Sequence, residues 1–110
     1  MTAHIIYKDI DPKYTATHSS KIIKLIRNNI GFKNIIISDD MQMGAITKHY
    51  GLKEAAVMAI NARTDIIEYR DFENSKEALD ALKRGRSEKK IPDENIRNKI
   101  SRIQECKLRY

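Results

Sequence analysis

Tryptophan is absent from this sequence, cysteine occurs once, proline twice and glycine four times. A lone cysteine, Cys106, excludes an internal disulfide and suits a reducing compartment. With aromatic residues at only 6%, any core must be built from aliphatic side chains. No His or Cys cluster stands at metal-ligand spacing, so neither a metal nor an organic cofactor is expected. Long apolar runs are missing too. No stretch approaches the roughly 20 residues that a helix needs to cross a bilayer, and no membrane partner is expected. Met1-Thr2-Ala3-His4 has neither the basic start nor the apolar run of a secretory leader. The chain is therefore expected to be soluble and cytoplasmic.

Charge, in contrast, is plentiful: 33% of the 110 residues are charged and the net charge is +6. The excess concentrates late, at Lys83, Arg84, Arg86, Lys89 and Lys90 and along the last helical stretch. No aromatic residues interleave with these charges as a base-stacking platform requires. A solvated basic helical surface is the better reading, and no nucleic-acid partner is expected.

The apolar pattern alternates between two periods. Ala3 to Tyr7 is a short apolar run that reads as a strand beginning within its own motif. Ile22, Ile23, Leu25, Ile26 and Ile30 then stand at helical spacing, with Ser19 or Ser20 placed to cap and Gly31 to end the helix. Ile35-Ile36-Ile37 is an unbroken β-branched run, as in a parallel strand covered on both faces, and it stops at Ser38-Asp39-Asp40. Leu52, Ala55, Ala56, Ala59 and Ile60 mark a second helix, and Ile66-Ile67 a third strand. A helix over 75–84 has Ala78, Leu79 and Leu82 inward and Gly85 as its stop. Beyond Pro92, Ile96, Ile100 and Ile103 mark the apolar side of a last helix. Strands alternating with helices at a period of roughly 30 residues indicate βαβ units and a parallel sheet. Residues 1–110 form one α/β domain, with no linker or low-complexity segment to divide them.

Ser38-Asp39-Asp40 is the sharpest chemical signal. Carboxylates directly after a buried strand lie where α/β enzymes place catalytic groups. There, Asp39 or Asp40 can serve as nucleophile, base or metal ligand; equally, either can cap the next helix or belong to a solvated turn. His4 sits at the corresponding end of the first strand, where it either shapes a pocket or is a satisfied packing residue. Met41 and Met43 can line a pocket or belong to the core. His18 and His49 read as surface or helix-end residues.

Taken in order, several segments resemble a known family: Met1-Thr2-Ala3-His4-Ile5, Asp11-Pro12 with Ala16-Thr17, Gly31-Phe32, Ile37-Ser38-Asp39-Asp40-Met41-Gln42-Met43-Gly44-Ala45-Ile46, Glu54-Ala55-Ala56, Ala59-Ile60-Asn61-Ala62 and Asp65-Ile66. The series is similar to the second half of the β-N-acetylhexosaminidase (β-N-acetylglucosaminidase) branch of glycoside hydrolase family 3. The resemblance runs over nearly the whole chain and is densest from Gly31 to Ile67. It implies a partial (β/α)₈ barrel of the TIM type, about three C-terminal βα units plus a final helix. It also implies a retaining hydrolase acting on terminal β-linked N-acetylglucosamine, with Asp39 as nucleophile. Asp40 would then hold Asp39, and His4, Asp40, Met41 and Met43 become possible pocket residues.

The resemblance also implies what lies outside these residues. The acid/base dyad, the Lys-His pair that binds the sugar and the earlier residues that hold its hydroxyls have no counterpart here. The chain alone is expected to show little or no activity, and to pair with an N-terminal half-barrel or with itself. A non-catalytic remnant and a basic α/β binding module are the alternatives. Near the third strand the sequence departs from the family pattern. Arg63-Thr64 replaces a small Gly-Ala pair, and Glu68-Tyr69-Arg70 replaces an apolar continuation. Arg63 lacks the backbone freedom of glycine, and charge at 68 and 70 is costly unless exposed or paired.

Overall fold

The computed structural model describes residues 1–110. Its order is a 3₁₀ turn (Ala16–His18), α1 (Ser20–Lys24, continued as a π-helical turn Leu25–Asn29), β1 (Ile37–Asp40), α2 (Gly44–Thr47), α3 (Leu52–Asn61), β2 (Ile66–Glu68), α4 (Phe72–Ser87) and α5 (Asp93–Arg109). β1 and β2 form a two-stranded parallel sheet. The expected α/β class with parallel pairing is present.

Three boundaries differ from the sequence reading, each for a hydrogen-bonding reason. Residues 3–7 do not form a strand; only Thr2 joins the sheet side, donating its amide to Ile37 O and accepting from Asp39 N (2.7 and 3.2 Å). β1 begins at Ile37 rather than Ile35, so Ser38, Asp39 and Asp40 are the strand and not its sequel. The helix over 20–30 is regular only to Lys24, after which Ile30 N bonds Leu25 O at the i→i+5 distance of a π turn. Its later apolar residues are consequently outside the core, Ile30 being 69% exposed. Ser19 is the cap, its Oγ accepting from Ile22 N, and Gly31 is left-handed at φ 76° as its position required.

Met41, Ile46, Ala55 and Ala59 make a small aliphatic core, with Tyr50, Ile67 and Tyr69 packed on it. The alanines of α3 keep that helix close to the sheet. α4 runs past the expected stop: Gly85 lies inside it, buried against α3 and the chain that follows. A Cβ there would meet Ile91 Cδ1 at 3.1 Å, so glycine permits close approach rather than ending the helix. Leu79, expected inward, is exposed.

α5 is also turned from its expected orientation. Asn95 and Lys99 are buried while Ile100 is exposed. The cause is Asp65, whose side chain is fully shielded at the start of β2. Arg102 Nε and Nη2 donate to Asp65 Oδ1 (2.9 and 2.6 Å); Arg27 Nη2 and Ile36 N donate to Oδ2 (2.6 and 2.8 Å). Bringing Arg102 to this carboxylate rotates the polar stripe 95–99–102 inward.

Arg63 occupies the tight turn from α3 to β2 with φ 79°, a left-handed conformation that disfavours a side chain. A side chain at this position therefore carries a real backbone cost. Glu68 is exposed at the end of β2, and Arg70 is paired with Asp40, so neither leaves a buried charge unmet.

Two outcomes follow. Arg63→Gly should stabilise the chain by about 1 kcal/mol, raising Tm by roughly 4 °C in calorimetry; no rise would mean the turn is not strained. Asp65→Asn should destabilise by about 3–5 kcal/mol in urea unfolding, because two arginines lose their buried counter-ion. A loss under about 1 kcal/mol would show that solvent reaches the pair.

Candidate active site

β1 pairs with β2 through a local irregularity. Ile37 faces Ile66 and Asp40 faces Glu68, so three steps on one strand match two on the other. Ser38 makes this possible. It is fully buried, and its Oγ accepts from Glu68 N at 3.0 Å, standing in for a ladder carbonyl. The irregularity sets the two following carboxylates apart in environment.

Asp40 is fully engaged. Its Oδ1 accepts from Gln42 N (2.9 Å) and its Oδ2 pairs with Arg70 Nε (2.9 Å). Asp39 is half-buried and has one local bond, Oδ1 accepting from Asp40 N at 2.8 Å. Its other oxygen has no protein donor. Of two adjacent carboxylates, Asp39 is thus the one with a lone pair free for chemistry, and Asp40 the one held still.

His4 lies under this rim, buried and satisfied on both nitrogens. Nε2 donates to Asp40 O (2.8 Å), a carbonyl that can only accept, and Nδ1 meets Thr17 Oγ1 (2.9 Å). Thr17 Oγ1 is also 2.9 Å from Thr2 Oγ1. His4 accordingly links the N-terminal segment to the end of β1 and has no nitrogen left for a ligand. Met41, 3% exposed, is a core side chain and lines no open pocket; Met43 is 41% exposed. His18 corrects its expected surface position. It is buried, its Nε2 donates to Ala55 O (3.1 Å), and burial pushes its pKa below the ordinary value.

Gln42 and Arg70 were not picked out as site residues from the sequence. Gln42 Oε1 accepts from Arg70 N and Asp71 N (2.8 and 3.2 Å), its Nε2 donates to Asp71 Oδ2 (2.8 Å), and its own carbonyl accepts from Arg70 Nη2 (2.9 Å). Asp71 caps α4, and the Asn74 amide and Gln42 hold its carboxyl below the usual range. The loop after β1 and the loop after β2 are thereby joined around Asp40. Tyr69, packed beneath, has its hydroxyl pushed up to about 12 by burial. No group of three or more His, Cys, Asp or Glu is placed to hold a metal ion.

A family model described as the glycosyl hydrolase family 3 N-terminal domain matches residues 1–106. The chain belongs to glycoside hydrolase family 3. Among curated relatives, a beta-hexosaminidase of Neisseria meningitidis is 36% identical over 67 residues, covering 61% of this chain and 19% of that protein. A beta-hexosaminidase of Nitrosomonas eutropha is 33% identical over the same length and share. Among solved structures, a family 3 beta-N-acetylglucosaminidase from Paenibacillus superposes with TM-score 0.90 at 33% identity, over 99% of this chain and 22% of that one. The beta-N-acetylglucosaminidase of Thermotoga maritima gives 0.89 at 30%, over 96% and 24%. This family 3 chain thus spans about a fifth of the length of the curated relatives it matches.

His4→Ala should cost about 2–4 kcal/mol, since it strands a buried hydroxyl and a carbonyl. The urea midpoint should fall with an unchanged m-value, and His4→Gln should recover part of the loss. A midpoint shift worth less than about 0.5 kcal/mol would show that the two bonds contribute nothing.

Proposed function

We propose that this chain is an arc of a (β/α)₈ barrel, contributing the nucleophile Asp39 to a retaining β-N-acetylhexosaminidase that acts on terminal β-linked N-acetylglucosamine. The observation that carries the reading is the difference between the two carboxylates: Asp40 is bound at both oxygens, whereas Asp39 keeps one oxygen free. Support for the barrel comes from order in space. Thr2, β1 and β2 neighbour one another in chain sequence, as consecutive strands do in a barrel. Ile5, Ile6, Tyr7 and Ile10 are each more than two-fifths exposed, an apolar side that further βα units would cover.

In this reading an Asp39 oxygen bonds to the anomeric carbon as the bond from that carbon to the leaving oxygen breaks. The leaving oxygen takes its proton from an acid/base group outside this chain. Water then attacks the glycosyl ester, gives its proton to that same group and releases Asp39. Asp40, clamped by Arg70 and Gln42, positions the end of β1; Met43 is the methionine exposed enough to border the sugar. The partner is the remainder of a family 3 barrel, with self-association the weaker alternative because one copy repeats only the same units.

The 110-residue chain should not hydrolyse an aryl N-acetyl-β-glucosaminide by itself. Co-expressed with the N-terminal portion of a family 3 β-N-acetylglucosaminidase barrel, it should restore hydrolysis. In that pair Asp39→Asn should lose on the order of 10⁴-fold in kcat or more, and Asp40→Asn distinctly less. Activity indifferent to Asp39→Asn, or lost chiefly through Asp40→Asn, would overturn the assignment.

A further inference from the structure

At the opposite end of the strands from Asp39, α4 and α5 leave a cleft of about 260 Å³. Six of its ten lining residues are aliphatic, among them Ile60 from α3, Leu82 from α4, and Ile96, Ile100 and Ile103 from α5. Into this surface is built one amine. Lys99 lines the cleft, is only 5% exposed, and its Nζ has no hydrogen-bond partner. A buried ammonium without a partner is expensive, so its retention beside six aliphatic lining residues needs a cause.

The nearest anion cannot supply it. Asp65 also borders the cleft, yet its Oδ1 is taken by Arg102 and its Oδ2 by Arg27 and Ile36 N. Arg27, Arg63 and Arg102 all act on Lys99 as like charges, against Asp65 as the one attractive group. Arg27 and Arg102 already pair with this one carboxylate, and Lys99 and Arg63 add positive charge that no ion pair answers. Burial together with these neighbours drives the Lys99 amine down to about 8. Lys83 and Arg86 add positive charge at the mouth.

Each property narrows the occupant. The aliphatic walls disfavour a phosphate, which would lose its hydration against hydrocarbon. A wholly apolar guest would leave the amine unpaired. A water needs two or more polar partners, and the saturated Asp65 offers none that is free. The volume falls just under the usual range for drug-sized sites, which sets a short ligand. We propose that the α4–α5 cleft binds a small amphiphilic carboxylate, its charge on Lys99 Nζ and its hydrocarbon body along Ile96, Ile100 and Ile103. The site is independent of the reading of Asp39.

Octanoate is a suitable probe, titrated into the full chain carrying labelled isoleucine δ-methyl groups. Saturable shifts are expected at the Ile96, Ile100 and Ile103 methyls, while Ile5 and Ile6 stay still. 1-Octanol, with the same chain and no charge, should bind at least ten-fold more weakly, and inorganic phosphate should leave these methyls unmoved. Lys99→Met should weaken octanoate at least ten-fold; an apolar side chain of similar length replaces an unpaired charge there, so folding is retained. Ile100→Asp is the second variant, at a half-exposed rim position where a like charge opposes the ligand. It too should weaken octanoate at least ten-fold. The proposal is overturned if no saturable shift occurs, if octanol matches octanoate, or if neither variant weakens octanoate.

Discussion

Asp65 receives hydrogen bonds from three directions: from Arg27 in the π turn, from the Ile36 amide just before β1, and from Arg102 on α5. These donors are 38, 29 and 37 residues away in sequence. One carboxylate therefore closes the first helical unit, the sheet and the final helix around a single point. Removing it from water is costly, and four short charged or amide bonds offset that cost in a way that a looser site could not. The ion cluster stabilises less by its net energy than by the geometry it admits: only one placement of α5 brings Arg102 to Asp65. The same placement leaves Lys99 buried and without a partner.

With the N-terminal ends of the strands held there, the C-terminal end of β1 is left to carry the two adjacent carboxylates. Asp65 N and Ile66 N both bond Ile36 O, which fixes the register in which β2 starts. Ser38 then lets β1 gain one residue on β2, and the strand delivers Asp39 and Asp40 to the rim with different surroundings. A regular ladder would have given the ladder bond of Glu68 N to a carbonyl and made Ser38 an idle position. Ser-Asp-Asp is therefore one structural device: a hydroxyl that creates the irregularity, a carboxylate left with a free oxygen, and a carboxylate tied down.

The parts of this fold legible in the sequence were those governed by a local rule. α3 follows from its alanine and aliphatic spacing, Ser19 and Gly31 from capping geometry, and β2 from Ile66-Ile67. Ser38, Asp39 and Asp40 stood out in the sequence, and the structure places them within β1 rather than after it. What could not be read depended on partners distant in the chain. The inward placement of Asn95 and Lys99 beside the isoleucines of α5 goes with tertiary partners, Asn95 Nδ2 donating to Ile60 O and Arg102 reaching Asp65, which the isoleucine stripe alone did not signal. Gly85 looked like a helix end because its reason, the approach of Ile91, is tertiary. Thr17 and Gln42 are ordinary polar residues until His4 and Arg70 are brought beside them.

The two positions that the sequence resemblance marks as departures bear on how the rim is held. Arg63 and Arg70 flank the same short strand, and the departures have opposite consequences. Arg63 at φ 79° imposes strain at the entry to β2; its amide closes the helix end on Ile60 O (3.1 Å), and its guanidinium forms no ion pair. Arg70 at the exit reaches across to Asp40 Oδ2 and to the Gln42 carbonyl, so its side chain adds a clamp on the end of β1. That clamp is largely exposed, the Arg70 side chain being 64% accessible, so its energy is small in water. Its effect on geometry is larger, because Gln42 binds the same loop through the Arg70 and Asp71 amides. Under further barrel units the pair would lose solvent and strengthen as the local dielectric falls. In the barrel proposed above, a contact that is weak on the open chain would thus hold Asp40, and through it the end of β1 that carries the proposed nucleophile Asp39, most firmly.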